Sequence, residues 1–363
     1  MKPMMRWSTG FILVLMLALV GCADPEDDSA ATDEPASPPE PEVVTWRFAL
    51  EEIEGSVQHA YAQEFASRVE ERSDGMINVE IFTYGTIGTS SQITEMMQSG
   101  ALELAFASPG HLADAIPEIG VFTLHFVLSD DSEINRQVLS DPRLHERFHE
   151  PYRNEDLQLL AIVQEGWMVW SGDKPLRTPD DFKDFRIRTM TSPILVESYR
   201  AYGANPTPMP YAEVYSGLQL GQIDGQVNPI FAIEEMSFYE EQDYLTSGRH
   251  AQFVATLAGS RQWWDNLPEQ HREMVTQTRD ELVEWIDREQ IRFNEERLQN
   301  ILDAGGTEFI ELTDEEREVF RELSLPVRAT YIDQAGERGQ EILDTLLELI
   351  AEADADAVHA EDA

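Results

Sequence analysis

Cysteine is nearly missing from this chain. Among 363 residues there is one, Cys22, so no disulfide can form within the chain, and a thiol enzyme or a cysteine-based metal site is excluded. Lysine is almost as scarce, with Lys2, Lys174 and Lys183 alone. Arginine supplies nearly all the positive charge, and it is far outweighed: 26 basic residues face 69 acidic ones, a formal charge of −43. A nucleic-acid binder needs a basic stripe to neutralise phosphates. None is present, so nucleic acid is not a partner. Excess acid keeps molecules apart in solution while its self-repulsion strains the compact state, and salt screens that repulsion. The composition points to a salt-rich habitat.

Signatures of catalysis are missing too. The chain has no serine nucleophile elbow, no phosphate loop and no dinucleotide glycine fingerprint; its glycines are scattered at turns. One motif stands out. His145-Glu146-Arg147-Phe148-His149 fits H-E-x-x-H, which on a helix sets two imidazoles on one face for zinc with a glutamate as base. Pro151 is expected to end that helix two residues later, and the surroundings are mostly charged. A secreted zinc hydrolase using His145 and His149 therefore stands only as a rival reading. No metal and no cofactor is expected.

What is present suits two α/β domains, or one large one with its own long helices, with an ordinary hydrophobic content of 42%. Residues 1–21 read as a targeting segment: Lys2 and Arg6 precede an apolar run at 11–20 that is short for a bilayer. Leu19-Val20-Gly21-Cys22 resembles a bacterial lipobox, which implies that Cys22 becomes the lipidated first residue of a protein held at a membrane face outside the cytoplasm. Residues 22–44, rich in Asp, Glu, Pro, Ser and Ala, have nothing periodic to bury and read as a disordered acidic tether. Residues 351–363 look like a similar solvated acidic tail.

The folded part opens with strands at 46–50, 77–82 and 102–107, separated by helices at 58–72 and 92–98. That alternation predicts a parallel sheet with helices on its faces, whose strand ends bring Glu51, Glu52 and His111 towards one crevice. Residues 159–163 and 253–257 read as further strands. The run 268–303 has no internal glycine or proline, which predicts a helix roughly 50 Å long, enough to lie across both domains. Two last helices follow Thr313 and Leu325. In the centre, Phe185 and Ile187 face a core while Arg186 and Arg188 face the other way. Ser192 and Pro193 then start a helix that stops at Gly203, and the prolines between Asn205 and Pro210 force an extended segment. Arg188 thus sits at the carboxyl end of a strand, where ligands bind in open α/β sheets. The plainer alternative is a solvated strand-end arginine, or one that ties down a loop.

Three central motifs then carry a resemblance. Lys183-Asp184-Phe185-Arg186-Ile187-Arg188, the run GANPTPMPYAEVY from Gly203 to Tyr215, and Asp224-Gly225-Gln226-Val227-Asn228-Pro229 resemble the solute-binding proteins of TRAP (tripartite ATP-independent periplasmic) transporters, the DctP family. Ser73-Asp74-Gly75, the Gly85/Gly88 loop and Gly100-Ala101-Leu102-Glu103 agree, and the likeness runs through residues 45–349. It implies an α/β, two-lobed periplasmic binding protein fold with a long helix spanning both lobes. Lobe I takes 45–166 plus about 250–290, and lobe II takes 167–249 plus about 291–350. It also implies capture of a small organic carboxylate in the cleft and delivery to membrane permease subunits driven by an ion gradient, with no enzymatic activity.

By that resemblance Arg188 grips the ligand carboxylate, and its planar fork of donors suits the task; Asn228 reaches the same ligand. Within the family, the stretch from Trp46 to Gly55, Glu165-Gly166 with Met168-Val169, and Arg188-Thr189-Met190-Thr191 resemble the ectoine-binding branch. A zwitterion such as ectoine or hydroxyectoine wants an acid for its cation, supplied by Glu51 or Glu52, and aromatic faces for its ring, with Trp167, Tyr211 and Phe231 as candidates. The chain departs from the pattern in four places. No second arginine stands near Met168, which argues against a dicarboxylate. His111 stands where the branch has an aromatic residue, Tyr211 where it has tryptophan, and Val227 where the family has glutamate. The alternatives are a keto acid, hydroxy acid or sugar acid as ligand, and a tethered sensor passing occupancy to a receptor.

Overall fold

A computed structural model describes residues 43–361. The targeting segment, Cys22 and nearly all of the expected tether lie outside the described residues. The chain opens with β1 (Val44–Ala49), α1 (Val57–Arg72), β2 (Ile77–Phe82), α2 (Ser90–Gln98) and β3 (Leu104–Ala107). Next come α3 (Pro109–Leu112), α4 (Ser132–Leu139), α5 (Pro142–Asn154) and β4 (Leu157–Gly172). The central stretch holds α6 (Pro179–Phe182), β5 (Arg186–Thr189), α7 (Pro193–Ala201), β6 (Asn205–Pro208), α8 (Val214–Gln219), β7 (Val227–Pro229) and α9 (Ile230–Glu235). The chain then runs through β8 (Tyr244–Ser260), α10 (Arg261–Asn266), α11 (Glu269–Ala304), β9 (Glu308–Glu311), α12 (Asp314–Ser324) and α13 (Val327–Glu361). None of the described helices is long and apolar enough to cross a membrane.

Local chemistry explains the helix starts. The Ser56 hydroxyl accepts from the His59 N–H (3.1 Å) to cap α1. Thr313 and Glu316 form a reciprocal capping box at α12. Ser192 and Pro193 begin α7 as the sequence predicts.

The first three strands form the expected parallel unit, and the sheet extends well beyond it. It is a mixed, seven-stranded sheet in the order β2-β1-β3-β8-β4-β7, with β9 beside β8. β1 pairs in parallel with β2 and β3, but the β3–β8, β8–β4 and β4–β7 ladders are antiparallel. The cause is the length of β4 and β8, at 16 and 17 residues. Only their apolar segments read as strands in sequence, because Gln164-Glu165-Gly166 and the polar start of β8 interrupt the pattern. Register shifts at Gln164/Gly166 and Trp167/Val169 divide this ribbon into two ladders, since a bulge re-aims the strand without ending it.

Each half of the ribbon has its own core. Phe48, Tyr61, Phe65, Phe106, Leu282 and Ile286 belong to one cluster, and Val214, Ile233, Leu245 and Ile301 to another. The 36-residue α11 contributes to both, so it joins the two lobes as expected. Two further expectations change. Pro151 does not end α5, which continues to Asn154; a proline in the last turn forfeits a single backbone bond. The acidic end is exposed through most of its length yet helical to Glu361. Buried Leu346 and Leu349 anchor α13, and a nucleated helix propagates cheaply through alanine-rich sequence without Gly or Pro.

Candidate functional site

The central stretch folds so that one arginine is trapped. β5 pairs in parallel with β6, setting Arg188 opposite Thr207, and the Arg188 N–H donates to the Gly225 carbonyl (2.9 Å). Gly225 is required there: a Cβ would meet the Ser171 carbonyl oxygen at 2.0 Å. Arg188 is 1% exposed, which rules out a solvated strand-end role. Its Nε donates to the Met209 carbonyl (3.0 Å), and Nη2 is buried with no partner among the described residues. The guanidinium lies 6.0 Å from the centre of the Tyr211 ring. Burial pulls its pKa down to about 10, so it remains charged at neutral pH. A buried cation with an unmatched donor edge is unfavourable unless an anion completes it.

The same cavity is lined by Glu51 and Glu52 from the end of β1, Ser90, Ser108, His111, Met190, Tyr211, Asn228, Pro229, Ala232 and Phe253. Its volume is about 30 Å³, room for about one water, so an organic acid needs the walls to part. Glu51 Oε2 accepts from the Ser108 N–H (2.7 Å), yet burial outweighs that bond and lifts its carboxyl to about 7. Glu52 Oε2 accepts from the Gln58 N–H (2.9 Å), and its Oε1 is buried without a partner. Burial raises Glu52 as well.

Five of the six remaining sequence candidates sort into two groups. His111 is in the cleft, where burial and then Arg188 lower it to about 4; it is neutral, with Nδ1 3.4 Å from Thr191 Oγ1. Asn228 is in the cleft too, its Nδ2 donating to Gln226 Oε1 (2.5 Å). Tyr211 completes that group, edge-on to Tyr84 at 5.8 Å with its hydroxyl near Glu235 (3.3 Å). Trp167 stands apart, lining a separate cavity with Val169, Gln290, Asn294 and Leu298. Phe231 is 1% exposed and belongs to the core cluster of Tyr61 and Ile286; its neighbour Ala232 lines the cleft instead. Cys22, the last, is outside the described residues.

Phe253 was legible only as a core strand residue, and Ser108 only as a strand end. Gln58 was legible only as a helix start and Glu165 only within a stretch that resembles the ectoine-binding branch; their burial behind Glu52 was not, because a polar residue's burial depends on what packs over it. Across the cleft, the Ser192 N–H donates to the Gly110 carbonyl (2.9 Å) and Met190 packs onto Gly110, so the loop after β5 meets α3 directly. Of the H-E-x-x-H pair, His145 has its Nε2 2.8 Å from the Leu139 carbonyl oxygen. No group of three or more potential ligands capable of holding a metal occurs among the described residues.

Residues 48–334 match the model of the bacterial extracellular solute-binding proteins, family 7. The ectoine-binding periplasmic protein TeaA of Halomonas elongata is 36% identical over 318 residues, 87% of this chain and 91% of that protein. The ectoine/5-hydroxyectoine-binding periplasmic protein UehA of Ruegeria pomeroyi is 34% identical, over 82% of this chain and 88% of its own length. Among solved structures, an apo open TRAP periplasmic solute-binding protein from Marinobacter aquaeolei superposes with a TM-score of 0.80 at 49% identity, covering 84% of this chain and 100% of that one. The chain belongs to family 7 of the bacterial extracellular solute-binding proteins, and it is a two-lobed periplasmic subunit of a TRAP transporter that hands a small organic ligand to membrane permease subunits, not an enzyme.

Proposed function

We propose that the ligand is a zwitterionic compatible solute, ectoine or hydroxyectoine. One observation carries the reading: the buried guanidinium of Arg188, with an unpartnered donor, shares a small cavity with Glu51 and Glu52. An anion completes the arginine, a cation answers the carboxyls, and the ring between them packs on Tyr211 and Phe253. The names of TeaA and UehA agree with this chemistry. Asn228 supplies the neutral polar contact. Trp167 and Phe231, away from the cavity, take no part in this reading.

The lobes close about the β4–β8 ribbon as the ligand enters, drying the cleft. Lobe I is 45–166 plus about 250–290, and lobe II is 167–249 plus about 291–350. Cys22 is the lipid attachment point that keeps the protein at the membrane face; loss of fatty-acid labelling in Cys22→Ser tests this. Calorimetric titration of the purified protein with ectoine, hydroxyectoine, keto acids, sugar acids and dicarboxylates tests the ligand. Tight binding of ectoine or hydroxyectoine alone is expected. Equal binding of a plain monocarboxylate overturns the zwitterion and leaves a carboxylate site at Arg188.

A further inference from the structure

Behind the cleft wall, Glu165 on β4 is fully buried beside Glu52. Gln58 locks both. Its backbone N–H donates to Glu52 Oε2 (2.9 Å) and its Nε2 to Glu165 Oε2 (3.4 Å), while its Oε1 accepts from the Glu51 N–H (2.9 Å). One oxygen of each carboxyl is then left over, Glu52 Oε1 and Glu165 Oε1, and both are buried with no partner among the described residues. One glutamine, Gln58, thus bonds both carboxyls at once and gathers them at a single buried spot. Two carboxylate oxygens cannot bond without a proton between them, and two adjacent charges cannot both persist in a dry site.

We propose that Glu52 and Glu165 share one proton in the ligand-free protein, and that the ligand's cationic group expels it to solvent, so that capture releases a proton. Glu165 touches no ligand. It is a positioning residue that sets the charge state of Glu52. The proposal rests on the ligand being zwitterionic.

The surroundings favour retention of the proton in the free state. Glu51 faces the pair from the end of β1, and Glu235 from α9, where burial and the charge of Glu52 raise it. The Tyr211 hydroxyl has the Ala232 carbonyl (3.2 Å) and Glu235 Oε1 (3.3 Å) as acceptors, not the pair. Arg188, on β5, lies across the cavity. Arg297 on α11 is engaged by Glu234 (2.5 Å). The Asn294 amide donates to the Glu165 backbone carbonyl (2.9 Å), not to its carboxyl. Among the described residues no neutralising cation is directed at either orphan oxygen, so a proton occupies that role until a ligand cation replaces it. Burial is the leading cause of elevation for both members, and for Glu165 the adjacent Glu52 follows.

The test is calorimetric titration with ectoine at pH 7.5 in phosphate and in Tris, whose ionisation enthalpies differ. Wild-type protein is expected to release up to one proton per ligand and to bind tighter as pH rises from 6 to 8.5. Glu165→Gln supplies a permanent donor to Glu52, so release disappears and the pH profile flattens, while Glu146→Gln, exposed on α5 and away from the cleft, retains it. No release in wild type, or undiminished release in Glu165→Gln, overturns the proposal. If ectoine does not bind at all, the ligand assignment fails, and the pair is decided separately by glutamate carboxyl ¹³C NMR titration of the free protein. A resonance with a midpoint well above the ordinary glutamate range that vanishes in Glu165→Gln but survives in Glu146→Gln supports the shared proton; its absence from the wild type overturns it.

Discussion

Arg186 and Arg188 stand two residues apart on β5 and live in opposite worlds. Arg186, at the outer end, is exposed with its donors matched: Nε donates to Asp224 Oδ2 (3.0 Å), Nη1 to the Gly221 and Gln222 carbonyls (2.7 and 3.1 Å), and Nη2 to Asp224. Arg188, at the inner end, is buried with Nη2 idle. A single-residue propensity cannot separate them. Strand alternation cannot either, since both point away from Phe185 and Ile187. What separates them is the packing of Tyr211, Met190 and Asn228 over one and solvent over the other. A fully matched surface arginine is structural trim, while an unmatched buried one is a site held ready.

The largest effect sits on that contrast. Arg188→Met is expected to lower affinity at least 100-fold by calorimetry, because truncating one partner of a buried charge pair costs about 2–5 kcal/mol. The same variant should melt no lower than wild type without ligand, since an uncompensated buried charge is replaced by an apolar side chain of similar length. Arg186→Met should leave affinity unchanged. Equal losses for both variants would break the contrast.

Glu51 sharpens it on the acid side. Its carboxyl is raised to about 7, first by burial and last by Glu52, against the opposing Ser108 bonds. A raised acid stays protonated in the folded state while the unfolded chain ionises. Its contribution to stability is therefore fully present below about 4.5 and is lost as pH rises to about 7. Between those pH values Glu51→Gln should remove a downward slope worth roughly 3 kcal/mol in chemical denaturation. It should also weaken capture of a cation-bearing ligand about tenfold, since a charged hydrogen bond becomes neutral. An unaltered stability profile would show that Glu51 is ionised in the fold.

Most of the fold was legible because its signals are local. The cap at Ser192, the prolines at 206–210 and the uninterrupted run of α11 each dictate backbone geometry from within a few residues. The antiparallel β4–β8 ribbon was not, because its bulges and polar middle hide a strand that only tertiary pairing completes. The site divides the same way. Arg188, Asn228, Glu51, Glu52 and Tyr211 converge in one cavity, carried by motifs and strand ends. Trp167 and Phe231 do not, because an aromatic near a motif does not reveal which side of its strand or helix turns inward. Val227 shows the converse: it is 1% exposed and packs in the core cluster of Trp170 and Ile187, so its departure from the family pattern changes packing behind the cleft.

A smaller effect lies where α3 meets the loop after β5. A Cβ on Gly110 would approach Met190 Sδ to 2.4 Å. Because the methionine end is flexible, Gly110→Ala should displace Met190 rather than unfold the protein. About tenfold weaker binding, mostly through faster release, is expected, with the melting temperature of the free protein unchanged. Gly110→Ala combined with Met190→Ala should recover most of the loss. Failure to recover it would place the strain elsewhere in the wall.

The smallest effect is on the exposed end of the comparison. Matched surface arginines such as Arg186 and Arg177, whose Nε donates to Glu316 (2.7 Å), each contribute little and are screened by salt. The net charge of −43 acts the other way, because salt relieves its self-repulsion. Raising sodium chloride from about 0.1 to 1 M, where the Debye length falls from about 10 to 3 Å, is expected to raise the melting temperature by a few degrees. Thermal melts of wild type and Arg186→Met across that series separate the two contributions: both should rise in parallel. A wild-type transition that falls with salt would mean that the matched pairs outweigh the repulsion, and that the outer arginines hold the fold together as firmly as Arg188 awaits its ligand.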